Sequence, residues 1–320
     1  MGATDFIKAM NEPICKLIDA LKTGIGVLYE PTHLKKMADA ESYRIEKIGE
    51  SIRNNADLPI EYHGKTNELG IDIKDAQALL ARTVNRILFQ EVQRQKNLDS
   101  IVAKTYVELE HKTECSKEKV NPDWMLRFAE AAQNISDEEL QNLWAKILTG
   151  EIIMPNSCSL RAIETLKNMS KNEFDVFLKI CPFICNGFLC KEDGILDQFD
   201  INYGMLLILD ECNLINSTGA VLTISSKECA AESVKFFDSQ NYILLGKSNK
   251  KFRVYLPVYK LTESGNLLRK LAVTDDEYDF MLAYGKHLRT QYKSINFGLY
   301  KIICRKEVNI EYNEENLLDK

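Results

Sequence analysis

The chain has 320 residues, of which 45% are hydrophobic and 28% are charged. This is an ordinary globular composition, and the length suffices for about two or three domains with their own cores. The formal net charge of −6 argues against a dedicated nucleic-acid-binding protein, because such a protein usually carries a basic domain, although a local basic patch is compatible with it.

Cysteine usage and hydropathy predict the compartment. The nine cysteines are scattered singly, and the polar N-terminus lacks the apolar core of a secretory signal. An odd number of cysteines without such a signal predicts reduced thiols in a cytoplasmic protein. No window of about 18 apolar residues occurs, so a transmembrane helix is not expected.

Residues 1–57 are predicted to form amphipathic helices. Apolar residues recur at helical spacing from Asp5 to Leu28 and again from Leu34 to Ile52. Pro13 either kinks the first helix or starts it. Because its polar face mixes both charges, packing on a helical bundle is favoured over membrane contact through residues 5–29, which stays an alternative.

Residues 73–169 are predicted to hold a long helix and a module of short, capped helices. The stretch from Ile73 to Glu114 has no proline or glycine and carries an apolar stripe. A helix of about 40 residues spans roughly 60 Å, a length that favours self-association or packing along a protein partner. One long bundle helix, or two helices broken near Asn97, are the alternatives.

Two capping boxes are predicted within and after this module. Ser136 with Glu139 opens a helix that Gly150 ends, and Ser170 with Glu173 opens a second helix.

Residues 170–312 are predicted to form a winged-helix-like α+β module with terminal strands. A helix from Tyr203 to Cys212 takes the place of its third helix. Three segments are rich in β-branched and aromatic residues and are predicted strands: 221–224, 242–245 and 252–257. Residues 247–250 supply the turn between the last two, and the acidic tail from Asn313 is predicted to fray. The fold class is therefore mainly α, a helical N-terminal region followed by this module.

Four segments carry a resemblance to a known family. They are GIGVLYEP at 24–31, RQKNLDSIVAKTY at 94–106, PDWMLRFAEAAQNISDEELQNLWAKILTGEI at 122–152 and PNSCSLRAIETLKNMS at 155–170. The pattern resembles the bacterial domain-of-unknown-function 2806 family over most of the chain, up to LTESGNLL at 261–268. That family brings no catalytic residues, so none is carried over. The module NISDEELQNLWAKIL is similar to part of the abortive-infection alpha family, which implies a role in anti-phage defence.

The sequence offers no catalytic, metal or cofactor signature. None of the four histidines lies in a known catalytic motif, and His111 and His287 are predicted to be solvated. The spacing of Cys181, Cys185 and Cys190 is not that of a zinc site, so buried thiols are favoured. The helical spacing of the aromatic residues favours a packed core over a ligand site: Trp124, Phe128 and Trp144.

One small basic cluster is the candidate nucleic-acid site. It comprises Lys247, Lys250, Lys251 and Arg253, near Tyr242 and Tyr255. On a DNA-binding winged helix such residues contact phosphates. The predicted third helix, however, is apolar and acidic, whereas a recognition helix offers Arg, Lys, Asn or Gln to the bases. A protein-interaction or structural role is therefore favoured over DNA binding.

These observations predict a non-enzymatic, cytoplasmic bacterial protein that acts through protein–protein contacts, in the setting of anti-phage defence, without a cofactor. Two alternatives stand beside it. One is a nucleic-acid-binding regulator that uses the winged-helix-like module. The other is a membrane-acting toxin that uses the N-terminal helix.

Overall fold

A computed structural model of the protein describes residues 11–26, 73–226, 234–239, 241–272, 277–305 and 310–319. The chain divides into two compact units, residues 1–167 and 168–320. The second predicted N-terminal helix (34–52) and the connection that follows it (54–72) lie outside the described residues. No described helix is both long enough and apolar enough to cross a bilayer.

All the regular secondary structure described in the first unit is helical. Its helices are α1 (Glu12–Ile25), α2 (Ile73–Glu110), α3 (Pro122–Ala132), α4 (Glu138–Ile153) and α5 (Leu160–Leu166).

The first turn of α1 is fixed by Asn11 and Pro13. The Asn11 side chain accepts a hydrogen bond of 3.1 Å from the backbone N–H of Ile14, and Pro13 lies in the first turn, where a missing N–H costs nothing. Pro13 therefore starts the helix and does not kink it. The Asn11 amide also donates to the carbonyl oxygens of Leu109 (2.8 Å) and Lys112 (2.9 Å), which ties the start of α1 to the end of α2.

Helix α2 is continuous over 38 residues, a length of about 57 Å. The alternative of two helices broken near Asn97 is wrong. Asn97 is buried and its amide donates a 2.9 Å hydrogen bond to the carbonyl oxygen of Gln133, so this polar residue anchors the helix to the chain after α3.

The predicted capping box of α4 is wrong, because Asp137 and not Ser136 caps the helix. The Asp137 carboxylate accepts from the N–H groups of Glu139 (3.0 Å) and Leu140 (3.1 Å). A carboxylate is favoured there by the helix dipole. The helix also continues past Gly150 to Ile153, because Ile152 is buried in the core and packing outweighs the weak helix propensity of glycine.

The second capping box is confirmed. The N–H of Ser170 donates to Glu173 (2.6 Å), and the N–H of Glu173 donates to the Ser170 hydroxyl (3.3 Å). The bond from the Ser170 backbone is the largest cause that holds the pKa of Glu173 below its usual value.

The second unit combines short helices with two small sheets. Its helices are α6 (Lys171–Ile180), α7 (Asp193–Leu196), α8 (Tyr203–Glu211), α9 (Glu263–Leu271) and α10 (Tyr278–Gln291). Its strands are β1 (Ile184–Cys185), β2 (Phe188–Cys190), β3 (Ile215–Ser225), β4 (Val234–Asp238), β5 (Tyr242–Lys247), β6 (Arg253–Leu261), β7 (Asn296–Arg305) and β8 (Ile310–Tyr312).

The sheets are antiparallel, with strand orders β1-β2-β6-β3 and β4-β5-β7-β8. The predicted turn at 247–250 therefore does not join a hairpin. It leads from β5 in one sheet to β6 in the other, and β6 pairs with β3 instead, with Val221 opposite Pro257 and Thr223 opposite Tyr255. A polar turn signal marks where the chain reverses, whereas the partner strand is chosen by packing far along the sequence.

The two sheets and α10 enclose the core of this unit. Phe280, Tyr284 and Leu288 of α10 are buried, and the Tyr284 ring lies 5.3 Å from that of Phe237 on β4.

The acidic tail does not fray, contrary to the prediction. Leu318 is buried, and the guanidinium of Arg289 donates to the carbonyl oxygens of Leu318 (3.0 Å) and Phe297 (2.7 Å). One apolar side chain and one arginine therefore hold the tail against the unit.

Candidate functional site

The outer half of α2, residues 79–96, carries large apolar side chains that are exposed among the residues that the structure describes. Val84 is 43% exposed, Ile87 is 47% exposed and Leu88 is 59% exposed, and Leu79 and Phe89 are exposed as well. These residues lie three and four positions apart, so Val84, Ile87 and Leu88 are neighbours on one face of the helix.

The same face is buried in the inner half of the helix. Leu98, Ile101 and Val102 are 6%, 0% and 0% exposed. Each follows its counterpart Val84, Ile87 or Leu88 by about four helical turns, so the two sets share one face. A single apolar stripe thus runs along α2, buried from residue 97 onward and uncovered before it.

Helix α4 packs against the inner half of α2. The hydroxyl of Ser100 donates a 2.7 Å hydrogen bond to the side chain of Gln141, and the Thr105 hydroxyl lies 3.4 Å from the carbonyl oxygen of Ala145. Sequence patterning predicted the stripe, but it could not say which part of it the protein itself would cover.

The polar residues of the outer half make it basic. It contains four cations and one anion, although the whole chain carries a net charge of −6. Glu91 pairs with Arg94 at 2.5 Å. Arg82 and Arg86 lie away from the stripe, because five positions separate Arg82 from Ile87, an angle of about 140° around the helix.

The four predicted nucleic-acid-binding residues are exposed but belong to different elements. Lys247 ends β5, Arg253 begins β6, and Lys250 and Lys251 lie in the connection between the two sheets. Alternation along β6 puts Arg253 and Tyr255 on one exposed face. Tyr242 is buried and offers no surface on which a base could stack.

The exposed face of α8 is apolar and acidic, as its sequence predicted. Tyr203 and Leu207 are exposed, and Glu211 is exposed at its end. Asn202, which could read a base, caps the helix by accepting from the N–H of Met205 at 3.1 Å.

The three clustered cysteines are buried thiols, as predicted. Burial raises the pKa of Cys181 to about 12 and also raises the pKa of Cys185, whose sulfur lies 3.4 Å from that of Met281. Such thiols are poor nucleophiles, since the thiolate is the reactive form. Within the described residues no group of three or more metal-ligating side chains comes together.

The aromatic residues of the short-helix module are core, as predicted. The rings of Trp124 and Phe128 stack at 5.1 Å, and those of Phe128 and Trp144 lie 5.3 Å apart. All three are buried, so no ligand can reach them.

A cleft of about 370 Å³ in the second unit brings together residues that the sequence did not connect. His287 Nε2 lies 3.9 Å from a carboxylate oxygen of Glu192, and Lys286, Gln198 and Thr290 also line the cleft. His287 was predicted to be solvated and is partly buried instead. No local pattern could have paired it with Glu192, because the two residues are far apart in the chain. The described side chains that line the cleft include no cysteine or serine and no group of three metal ligands.

The comparisons with known proteins bear on part of the chain. Residues 81–193 match the model of the family described as protein of unknown function (DUF2806). This confirms the resemblance, over a shorter segment than the one predicted, and gives no support to a likeness to the abortive-infection alpha family. No curated protein and no solved structure matches the chain. Residues 81–193 are therefore similar to the DUF2806 family, whose description assigns no function.

Proposed function

We propose that this is a non-enzymatic, cytoplasmic protein that acts by binding another protein through the outer half of α2. The observation that carries the proposal is the apolar stripe, which is buried from residue 97 onward and uncovered over Val84, Ile87 and Leu88. Soluble monomers rarely expose contiguous apolar patches of large side chains, and such patches mark binding surfaces.

The free energy gained by burying the stripe, compared with the cost of association, indicates what kind of partner is needed. Full burial of a Val, Ile or Leu side chain stabilises by about 1.5–3 kcal/mol. Because the three side chains of the stripe are already about half covered, together they contribute ~3–4 kcal/mol. Association costs at least about 4 kcal/mol in lost translational and rotational freedom. The partner must therefore bring an apolar face of its own.

Site-specific crosslinking in living cells tests this proposal. A photo-crosslinking amino acid at Leu88 is expected to give a discrete crosslinked product, because that position lies in the stripe. The matched control carries the same amino acid at Arg86, which is exposed and lies about 160° around the helix from Leu88, and it is expected to give none. A Leu88 position that yields no product would contradict the proposal.

The second candidate, a nucleic-acid-binding role, is favoured by the strand order. Helix α6, the short strands β1 and β2, and the helices α7 and α8 precede β3 in the chain. Strand β3 pairs with β6, which lies between β2 and β3 in the sheet, although β4 and β5 separate β3 from β6 in the chain. This order supports a winged-helix-like arrangement in which β3 and β6, and not β5 and β6, form the wing. Arg253 pairs with Ser225 at the end of that pair, next to Lys250 and Lys251.

The apolar and acidic face of α8 argues against this second candidate. Its test is retention on duplex DNA at increasing salt, since phosphate contacts release counterions. Under this candidate, retention falls with salt and is lost in the double variant Lys250→Glu, Lys251→Glu. Retention unchanged by the two substitutions would remove it.

The membrane-acting alternative is disfavoured by α1, whose apolar residues Ile14, Leu17 and Leu21 are buried within the first unit. The anti-phage setting stays a hypothesis. Phage plating on cells that carry or lack this gene tests it directly, with equal plating as the outcome against it.

A further inference from the structure

Resting on the proposed binding role of α2, we infer that the occupant of its outer half is a second copy of the same helix, paired antiparallel. The apolar stripe fixes the register. If residue 84 of one copy faces residue 87 of the other, the two-fold symmetry repeats the contact, so Val84 packs on Ile87 twice. Leu88 then lies beside the small side chain of Ala81 from the other copy.

Charge selects the antiparallel orientation. Glu91 and Arg94 lie seven positions after Val84 and Ile87, on the same face of the helix. In a parallel pair in register, Glu91 would therefore face Glu91 of the other copy, and Arg94 would face Arg94. Like charges at such positions are destabilising. In the antiparallel register the two Glu91 carboxylates lie about 16 Å apart along the helix axis. This exceeds the Debye length of ~8 Å at physiological ionic strength, so their repulsion is largely screened.

The burial of the stripe after residue 97 also favours the antiparallel orientation. In a parallel pair the second helix would continue past residue 97 along a face on which Leu98, Ile101 and Val102 are already buried within the first unit. In the antiparallel register positions 75–96 of both copies face each other. The paired segment therefore ends where Asn97 and Leu98 become buried, and it uses the whole uncovered part of the helix.

Analytical ultracentrifugation of the full-length chain over a concentration series tests the dimer. The wild type is expected to shift from monomer to dimer, and Ile87→Glu is expected to raise the dissociation constant at least tenfold. The matched control is Gln93→Glu, which makes the same change in charge at an exposed position that lies about 120–180° around the helix from Val84, Ile87 and Leu88, and it is expected to dimerise like the wild type. Circular dichroism checks that Ile87→Glu stays folded, since its side chain is half exposed.

The distance between spin labels tests the orientation. A label on a cysteine at Gln95 is expected to lie about 28 Å from its counterpart in the antiparallel pair. In a parallel pair the two labels would lie about 10 Å apart, the usual distance between packed helices, and that short distance would overturn the inference.

The remaining outcomes separate this inference from the proposed function. A chain that stays monomeric while the crosslinker at Leu88 captures a different protein would overturn the second copy and leave the binding role standing. A crosslink from Leu88 to residues 27–72 of the same chain would show that the stripe is covered internally and would overturn both. A dimer unaffected by Ile87→Glu would place the interface elsewhere.

Discussion

The carboxylate of Glu151 accepts a hydrogen bond of 2.7 Å from the backbone N–H of Asn156. Its second oxygen accepts from the N–H of Cys158 at 3.2 Å. The indole N–H of Trp124 donates to the carbonyl oxygen of the same Cys158 at 2.7 Å. A buried carboxylate on α4 and an indole on α3 thus hold the turn that leads into α5, a turn whose backbone is left-handed at Asn156 (φ 67°).

Replacing Glu151 by alanine is expected to lower the free energy of unfolding by about 2–3 kcal/mol, because the N–H groups of Asn156 and Cys158 lose their acceptor and Cys158 is buried. Urea denaturation measures the change. The control, Glu130→Ala, removes an exposed carboxylate from α3 and is expected to change stability by less than about 0.5 kcal/mol. Equal effects of the two substitutions would contradict the role given to Glu151.

Gly265→Ala is expected to destabilise the second unit by about 3 kcal/mol, a value at the upper end for overpacking. A Cβ atom at Gly265 would lie 2.1 Å from the carbonyl oxygen of Leu214, a backbone atom. Thermal unfolding measures the loss. Gly194→Ala is the control, since a Cβ there meets nothing within 4 Å, and a similar melting temperature for both variants would refute the close packing.

Arg289→Ala is expected to release residues 317–319 from the second unit, because the two carbonyl groups that accept from the guanidinium lose their donor. Hydrogen exchange at the backbone amide of Leu318, which is otherwise bonded to Asn316 at 3.1 Å, is expected to accelerate at least tenfold. Arg289→Lys keeps the charge without the fork of donors and is expected to restore only part of the protection. Protection unchanged in the alanine variant would show that Leu318 burial alone holds the tail.

The contribution of Glu173 to stability is expected to depend on pH. Its pKa in the folded protein is lowered, first by the backbone hydrogen bond from Ser170. The stabilisation is therefore complete above the pKa of an unfolded glutamate, about 4.3, and is lost as the pH falls through the lower folded value. The difference in unfolding free energy between the wild type and Glu173→Ala should shrink as the pH falls below about 4. A difference independent of pH would contradict the ionised capping box.

Alkylation of the native protein at pH 8 is expected to modify Cys304, which is exposed, well before Cys181 and Cys185, which are buried. With a pKa of about 12, only about one Cys181 in ten thousand is a thiolate at that pH. Mass spectrometry after timed reaction with iodoacetamide gives the order, and unfolding in urea should make the three react alike. Early modification of Cys181 would disprove its burial.

Local signals predicted the helices well, because each start depends on a few adjacent residues. Ser170 with Glu173 fixes one helix start outright. At Ser136 and Asp137 two cap-forming side chains stand side by side, and the pattern alone favoured the wrong one. The partners of β5 and β6 could not be predicted, since the polar segment between them is compatible with a hairpin and with a crossing from one sheet to another.

The candidate site was predictable only in part. The apolar residues of α2 were visible in the sequence as one stripe, and α2 was predicted to be the contact surface. The burial of Leu98 and the exposure of Leu88 follow from where the other helices of the first unit pack against α2, and that packing depends on contacts between residues far apart in the chain, such as Ser100 with Gln141. Periodicity cannot distinguish an apolar face that its own chain covers from one that it leaves bare.

The bond from Asn11 to the carbonyl oxygen of Leu109 spans 98 positions of the chain, and this sets an order of events during synthesis. The first helix leaves the ribosome long before the end of α2 does. At about 5–20 residues per second, the acceptor follows the donor by roughly 5–20 s. During that interval the apolar residues of α1 lack the contacts with α2 and α3 that the structure describes, so α1 reaches these contacts only after helices that follow it in the chain have been made.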